Sequence, residues 1–201
     1  MPKVTKIAQQ VKRQHRYSIF VDGKFNFSLS ELEITGSGLR VGTEVSDEDM
    51  ILWQRRSDAG KAIEKAYNFL SYRARSRREI EDYLRRKKYE PETAEQVIKQ
   101  LENEGLINDA QFATNWSQDR QTYQLRSRRQ LQAELIKKGV DREAIEQSMT
   151  SLADEVETIT QLVNTRNLLN KYDDERKLMA YLAGKGFSYG DIKTALRRFS
   201  D

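Results

Sequence analysis

One pattern of residues occurs three times in this chain of 201 residues, and it constrains the fold more than any other feature. Three segments align without gaps, and each begins with a residue that can cap a helix: 76–89, 127–140 and 174–187. Apolar residues follow at equal offsets, namely Ile80, Leu131 and Leu178, then Leu84, Leu135 and Leu182, and then Tyr89, Val140 and Phe187. Repetition with spacings of 51 and then 47 residues is typical of a repeat architecture.

Each copy extends into a second helix with matching apolar positions: Ala94, Ile145 and Ile192, then Ile98, Met149 and Leu196, and then Leu101, Leu152 and Phe199. A further helix precedes each copy, at about 58–73, 109–122 and 155–170. One three-helix module cannot cover its own apolar stripe, whereas about three stacked modules bury a continuous core. The sequence therefore predicts a mainly α protein, with three tandem three-helix repeats in an elongated array.

The first 45 residues differ from the rest and predict a small β-hairpin. Alternating apolar residues flank Asp22-Gly23, which is a strong hairpin signal: Tyr17, Ile19 and Val21 before it, and Phe25, Phe27 and Leu29 after it. A two-residue turn would pair Phe20 with Phe25, whereas the alternation would pair Val21 with Phe25, so the register stays open. A short extended piece is expected around Leu39 and Val41, among three glycines.

We expect four parts in the chain: an N-terminal strand-containing segment with a short helix (1–56), followed by helical repeats at 57–107, 108–153 and 154–201. The short helix should begin after Ser46, because a capping hydroxyl is followed there by three acidic residues.

Several classes of protein are disfavoured by the composition. The chain has no cysteine and one histidine, His15, which excludes disulfides, thiolate zinc sites and multi-histidine metal sites. No apolar run approaches the roughly 18 residues that cross a bilayer, so we expect a cytoplasmic protein without membrane association. The fragment Gly184-Lys185-Gly186 lacks the spacing of a phosphate-binding loop. We expect neither an enzyme nor a cofactor.

Basic residues are concentrated in the first two repeats. Residues 73–88 contain eight basic and three acidic side chains, and residues 120–138 contain six basic side chains and one acidic one, so each stretch carries a local charge of +5. The equivalent stretch of the third repeat, 171–187, carries only +1, which confines the expected basic surface to the first two repeats. The candidate binding residues are Arg73, Arg75, Arg77, Arg78, Arg85, Arg86, Lys87, Lys88, Arg126, Arg128, Arg129, Lys137 and Lys138.

These cations have two interpretations. Those at helix ends can be solvated residues that complement the helix dipole. Alternatively, the clusters contact phosphates or an acidic protein surface, and the nearby tyrosines (Tyr72, Tyr83 and Tyr123) stack on exposed bases. We expect Arg77 and Arg128 to be exposed, so replacing both by alanine should leave the fold intact, because exposed substitutions usually cost within about 0.5 kcal/mol.

Seven short segments within residues 60–199 carry a resemblance to known proteins: 66–76, 79–84, 101–109, 112–113, Lys137-Lys138-Gly139-Val140, 182–187 and Ile192. In these segments the chain resembles the RecX family, the bacterial regulators of the RecA recombinase. The resemblance implies tandem three-helix repeats, binding within the groove of the RecA–DNA filament, and inhibition or modulation of the recombinase and its ATPase. The family brings no catalytic residue and no cofactor.

The expected partners are therefore the RecA filament and single- or double-stranded DNA, contacted through phosphates by a monomer. Two other functions stay open: a DNA-binding protein that acts alone, and a helical scaffold that binds protein without nucleic acid. A reader of base edges would need one recognition helix with Arg, Asn or Gln on its exposed face. The basic residues here flank helices in two consecutive modules instead, which favours backbone contacts.

Overall fold

The computed structural model describes residues 1–199 of the chain. It is mainly helical, with a small antiparallel sheet in the N-terminal part, as the sequence predicts. The chain divides into two compact units: Met1–Arg73 with Ile80–Leu106, and Ala74–Glu79 with the residues from Ile107 onward.

Three strands form the sheet of the first unit, in the order β1 (Val4–Gln9), β2 (Arg16–Val21) and β3 (Lys24–Ser30). A short helix, α1 (Glu31–Ser37), follows β3 and ends at Gly38. The predicted extended piece around Leu39 is not a strand, although Leu39 itself is buried. It joins the apolar core of this region, which comprises Val4, Ile19, Val21, Phe27, Leu29, Leu39 and Val45.

The turn between β2 and β3 reconciles the two possible registers. Asp22 and Gly23 have φ angles of 48° and 79°, as a two-residue type I′ turn requires, and Phe20 pairs with Phe25. Beyond this pair the register shifts in a bulge, with Asn26 as the additional residue. The bulge restores the alternating apolar pairing farther along the hairpin.

Helix α2 (Asp47–Leu70) begins where the sequence predicts but does not stop near residue 57. The Ser46 hydroxyl accepts a hydrogen bond from the backbone N–H of Asp49, and the Asp49 carboxylate accepts one from the Ser46 N–H. The expected short helix and the first helix of the first module are thus one helix of 24 residues. Gly60 alone does not interrupt it, since an interior glycine costs only about 1 kcal/mol.

The Arg16 side chain is buried between the sheet and α2, which the sequence analysis did not predict. Its Nη1 lies 2.8 Å from Oε1 of Glu64, and its Nη2 donates to the carbonyl oxygens of Ser28 at 2.9 Å and Ser57 at 3.4 Å. Only 1% of Arg16 is exposed. A buried guanidinium is tolerated when it is paired and hydrogen-bonded in this way.

The remaining helices form three modules. The first comprises the second half of α2, α3 (Arg77–Arg86) and α4 (Pro91–Asn103). The second comprises α5 (Asp109–Gln124), α6 (Arg128–Lys137) and α7 (Arg142–Thr150). The third comprises α8 (Glu155–Thr165), α9 (Leu168–Lys171), α10 (Glu175–Gly184) and α11 (Tyr189–Arg197). The single helix predicted at 155–170 is divided at Asn167, whose φ is 49°.

The repeated apolar positions are core residues, which confirms the alignment of the three modules. Ile80, Leu131 and Leu178 are buried, as are Leu84, Leu135 and Leu182; only Tyr89 and Phe199 among the aligned positions are half-buried. The second and third modules have separate apolar clusters, with Leu125 packing against the third.

A pair of equivalent contacts recurs in the second unit, and we call them junction A and junction B. At junction A, the hydroxyl of Ser76 donates to the backbone carbonyl of Lys138 at 2.7 Å. At junction B, the hydroxyl of Ser127 donates to the carbonyl of Lys185, also at 2.7 Å. Ser76 and Ser127 directly precede α3 and α6, and Lys138 and Lys185 directly follow the aligned helices of the next modules, α6 and α10. The repeat in the sequence therefore produces a repeat in the contacts.

Glycine is required directly after each of these carbonyls. Gly139 and Gly186 have φ angles of 77° and 89°, a region that disfavours residues with a Cβ. A Cβ on Gly139 would lie 2.6 Å from Cβ of Arg78, and one on Gly186 would lie 2.7 Å from Oγ of Ser127.

We expect Gly139→Ala to destabilise the protein by more than Gly105→Ala. Gly105 has a similar φ of 71°, but no atom lies within 4 Å of a Cβ placed there. Gly105→Ala should cost about 1–2 kcal/mol from backbone strain alone, and Gly139→Ala should add the contact with Arg78. Urea unfolding of the two variants measures the difference, and equal losses would mean that Arg78 moves aside freely.

Candidate nucleic-acid interface

The thirteen basic candidates differ in exposure. Five are half-buried, Arg75, Arg77, Arg126, Arg128 and Lys138, and the other eight are exposed. They lie before, within or just after α3 and α6, because the charged stretches of the sequence coincide with the ends of these helices.

Arg128 is a structural residue, contrary to the expectation that it lies on the surface. Its Nη2 donates to the carbonyls of Leu152 at 3.3 Å and Ala153 at 3.5 Å, while its backbone N–H donates to Glu155 at 2.7 Å. The backbone N–H of Arg77 donates to a carboxylate too, that of Asp109, at 2.8 Å.

Replacing Arg128 by alanine should therefore cost stability, because Arg77 and Arg128 are half-buried and not exposed as the sequence led us to expect. Losing hydrogen bonds made by a charged group removes about 1.5–3 kcal/mol. The neighbouring Arg129 is exposed, so Arg129→Ala should stay within about 0.5 kcal/mol of the parent. Thermal unfolding of the two single variants compares them; equal melting temperatures would contradict a structural role for Arg128.

Lys138 is enclosed at junction A. Its Nζ lies 2.9 Å from Oε1 of Glu79 and 4.0 Å from the ring centroid of Trp116. The same ring has the Arg120 guanidinium 4.3 Å from its centroid, and its Nε1–H donates to Glu134 at 2.9 Å. Glu134 also lies 3.7 Å from Nε of Arg126. The cations of this junction are thus compensated by acidic and aromatic groups.

Several other candidates present their charge to solvent. Arg86, Lys88, Arg129 and Lys137 are exposed, and no acidic group of residues 1–199 lies within ion-pair distance of them. Arg85 pairs with Asp82.

The three tyrosines also differ. Tyr83 stacks on Phe69 with a centroid distance of 4.2 Å, so its ring is occupied. Tyr72 and Tyr123 occupy equivalent positions in the first two modules, and they are 84% and 82% exposed. Of the three candidate tyrosines, Tyr72 and Tyr123 are the ones that can offer a free ring face to a base.

Sequence reasoning missed two cations of the third module. Arg166 and Lys185 line a cavity in the second unit together with Tyr123 and Arg126. Lys185 lies in the stretch 171–187, whose net charge is low, and Arg166 lies before that stretch. The net charge of a segment does not show which side chains converge in the fold. The expected confinement of basic residues to the first two modules is therefore wrong for this cavity.

The carboxylate of Glu155 accepts a hydrogen bond from the first backbone N–H of α6, and its pKa is raised above the ordinary value. Burial raises the pKa of its carboxyl, and the hydrogen bond from the Arg128 N–H opposes this shift, while the charges of Asp191 and Asp154 add to it. A folded-state pKa above the unfolded value contributes stability at low pH, which is lost as pH rises through the folded pKa.

Within residues 1–199, no group of three or more His, Asp or Glu side chains is placed to hold a metal ion. None of the helices described is both long enough and apolar enough to span a membrane.

Known proteins similar to this chain agree with the modular fold. Four family models match it: the RecX N-terminal domain at residues 2–46, and the first, second and third RecX three-helix domains at 62–101, 108–149 and 154–196. Regulatory protein RecX of Listeria innocua is 32% identical over 199 residues, which is 96% of this chain and 74% of that protein. Regulatory protein RecX of Bacillus subtilis is 31% identical over 202 residues, which is 98% of this chain and 76% of that protein.

Solved structures give the same result. A crystal structure of regulatory protein RecX superposes with a TM-score of 0.78 at 25% identity, covering 98% of this chain and all of the other. RecX from Lactobacillus salivarius superposes with a TM-score of 0.65 at 29% identity, over 71% of this chain and 97% of the other. The four domain models together span most of the sequence, and the chain belongs to the RecX family of regulatory proteins.

Proposed function

We propose that this protein binds the RecA–DNA filament in the bacterial cytoplasm and lowers the ATPase and strand-exchange activity of RecA. The observation that carries the proposal is the presence of all four RecX domains in their order along the chain. The similar proteins are named regulatory proteins, and we assign no catalytic step to the chain.

The distribution of exposed groups supports this function. A groove lined by protein and phosphates favours a partner with cations on consecutive modules. Arg86 is the last residue of α3, and Lys88 follows that helix. Arg129 and Lys137 lie at the two ends of α6. Side chains of this kind can contact DNA phosphates regardless of base sequence, so they give affinity without a recognition helix.

The test is the DNA-dependent ATPase rate of RecA on single-stranded DNA, with this protein added in increasing substoichiometric amounts. We expect the rate to fall before the protein reaches equimolar amounts if each bound molecule affects several neighbouring RecA subunits. An unchanged rate at every ratio would contradict the proposed function.

The contribution of the exposed cations can be measured with charge-matched variants. Arg129→Gln with Lys137→Gln removes two cations of α6, and Lys171→Gln with Lys193→Gln removes two exposed cations of the third module. If the α6 cations contact single-stranded DNA, each lost contact should reduce the slope of log K against log salt by about 0.7. The control pair should leave the slope and the inhibition unchanged. Equal salt slopes and equal inhibition in the two variants would mean that the α6 cations contact solvent and not DNA.

A further inference from the structure

A cavity at junction B combines cations and aromatic rings. Its volume is about 230 Å³, whereas a single water needs roughly 10–15 Å³. The side chains that matter here come from α5, α6, α8 and α10 and the residues that follow them: Tyr123, Arg126, Gln130, Arg166, Tyr181 and Lys185. All of them belong to the second compact unit, and no Asp or Glu is among the described residues that line the cavity.

Junction A shows what this cavity lacks. There, Glu79 binds the lysine, and Glu134 lies within 4.0 Å of Nε of Arg120. The repeat spacings of 51 and 47 residues place Gln130 where Glu79 stands and Tyr181 where Glu134 stands. Neutral residues at junction B thus replace both acidic residues of junction A.

The indole of junction A is replaced as well. Asp109 and Glu155 are equivalent residues, because each carboxylate accepts a hydrogen bond from the first backbone N–H of a helix in the preceding module, α3 and α6 respectively. The same spacing of 46 residues relates Trp116 to Leu162 and Arg120 to Arg166. The cation is kept and the bulky ring is lost, which accounts for the open space.

The cations of the cavity are therefore poorly compensated. Arg166 and Lys185 form no ion pair within residues 1–199, and Lys185 has only the ring of Tyr181, at 5.3 Å from its centroid. Arg126 reaches one carboxylate, that of Glu134, at 3.7 Å. Like charges that converge in a concave site repel one another and concentrate an anion from solution.

We propose that this cavity binds a phosphodiester group of single-stranded nucleic acid, with the adjoining base stacked on Tyr123. Arginine offers a planar fork to phosphate oxygens and lysine offers a point charge, so Arg166 and Lys185 together suit this group. Tyr123 is 82% exposed at the same site, and stacking on an aromatic ring accepts any base. This inference rests on the proposed function and names one contact through which the chain reaches DNA.

The experiment measures binding of a fluorescent oligothymidylate to the full chain by anisotropy, over a series of salt concentrations. Because Arg166 and Lys185 would hold one phosphate together, Arg166→Gln and Lys185→Gln should each reduce the salt slope, and the double variant should reduce it by about 0.7. Tyr123→Ala should weaken binding about tenfold, whereas Tyr123→Phe should bind like the parent because it keeps the ring. Lys193→Gln, which removes an exposed cation of the same unit, is the charge-matched control and should keep the slope. Circular dichroism verifies that each variant is folded.

The RecA ATPase assay, run in parallel, separates this inference from the proposed function. Variants that bind the oligonucleotide like the parent would overturn the phosphate site, even if the parent inhibits RecA. Loss of inhibition with unchanged binding to DNA would also overturn it, and would assign the cavity to a carboxylate of RecA. A parent that binds DNA through this cavity but never inhibits RecA would sustain the site and refute the proposed function.

Discussion

Replacing Leu182 by alanine should lower the free energy of unfolding by about 2–5 kcal/mol. Leu182 is 0% exposed and lies in the apolar cluster of the third module, together with Leu178, Phe187 and Ile192. Removing its side chain leaves a cavity in a packed interior, whose lining loses contacts on every side. Urea unfolding followed by the helical circular dichroism signal measures the loss.

Leu169→Ala is the matched control, because Leu169 belongs to the same module but is 44% exposed. We expect this variant to unfold close to the parent, within about 0.5–1 kcal/mol. If the two variants unfold alike, the alignment that places Leu182 in the core is wrong.

Replacing Glu64 by methionine should destabilise the first unit by about 3 kcal/mol. The change leaves the guanidinium of Arg16, which is almost fully buried, without its carboxylate partner. Breaking a buried ion pair by removing one member costs about 3–5 kcal/mol, and the partial exposure of Glu64 places the expected value at the lower end.

The effect should be confined to the unit that contains Arg16. Trp53 stacks on Phe27 in the first unit, and Trp116 packs in the second. In a Trp116→Phe background, the fluorescence of Trp53 should therefore show that the first unit of the Glu64 variant unfolds at a lower urea concentration than that of the parent. Asp58→Met removes the carboxylate of an exposed pair with Lys61 from the same helix and should cost at most about 0.5–1 kcal/mol. An unshifted Trp53 transition in the Glu64 variant would contradict the structural role of the Arg16 ion pair.

The helical modules could be predicted because their core positions repeat in the sequence. Leu84, Leu135 and Leu182 share an offset and are all 0% exposed. Capping residues marked the helix starts for the same local reason, as at Ser127, whose hydroxyl accepts the N–H of Gln130. Apolar periodicity and caps depend on neighbours within a few residues, so a sequence displays them directly.

Strand β1 was missed because a local irregularity conceals its pattern. Val4 and Ile7 face the core region three residues apart, whereas strand residues on one face are two or four apart. The register shift between Val4 and Lys6 explains that spacing. A bulge changes the two-residue period of a strand, and no particular residue type in the sequence marks its position.

The structural arginines could not be recognised for a different reason. The carbonyls that bind Arg128 lie 24 and 25 residues farther along the chain, and Glu64 lies 48 residues from Arg16. Every residue has a backbone carbonyl, so the sequence does not show which carbonyls bind a side chain. An arginine that binds them therefore cannot be distinguished by sequence from an arginine on the surface. The charge clusters of the sequence therefore do not show which of their members are accessible in the fold.

The glycine of each junction sets a rule for how such a chain can lengthen by duplication. The position of Gly139 and Gly186 is held in the first module by Lys88, an exposed residue with a φ of 63°. A second copy of residues 57–107, inserted after the first, would bring Lys88 against the stem of Arg78, where no Cβ fits. A second copy of 108–153 carries its own serine and glycine and would satisfy both of its neighbours. At this contact, duplication of the middle module would keep a glycine, whereas duplication of the first module would place Lys88 there.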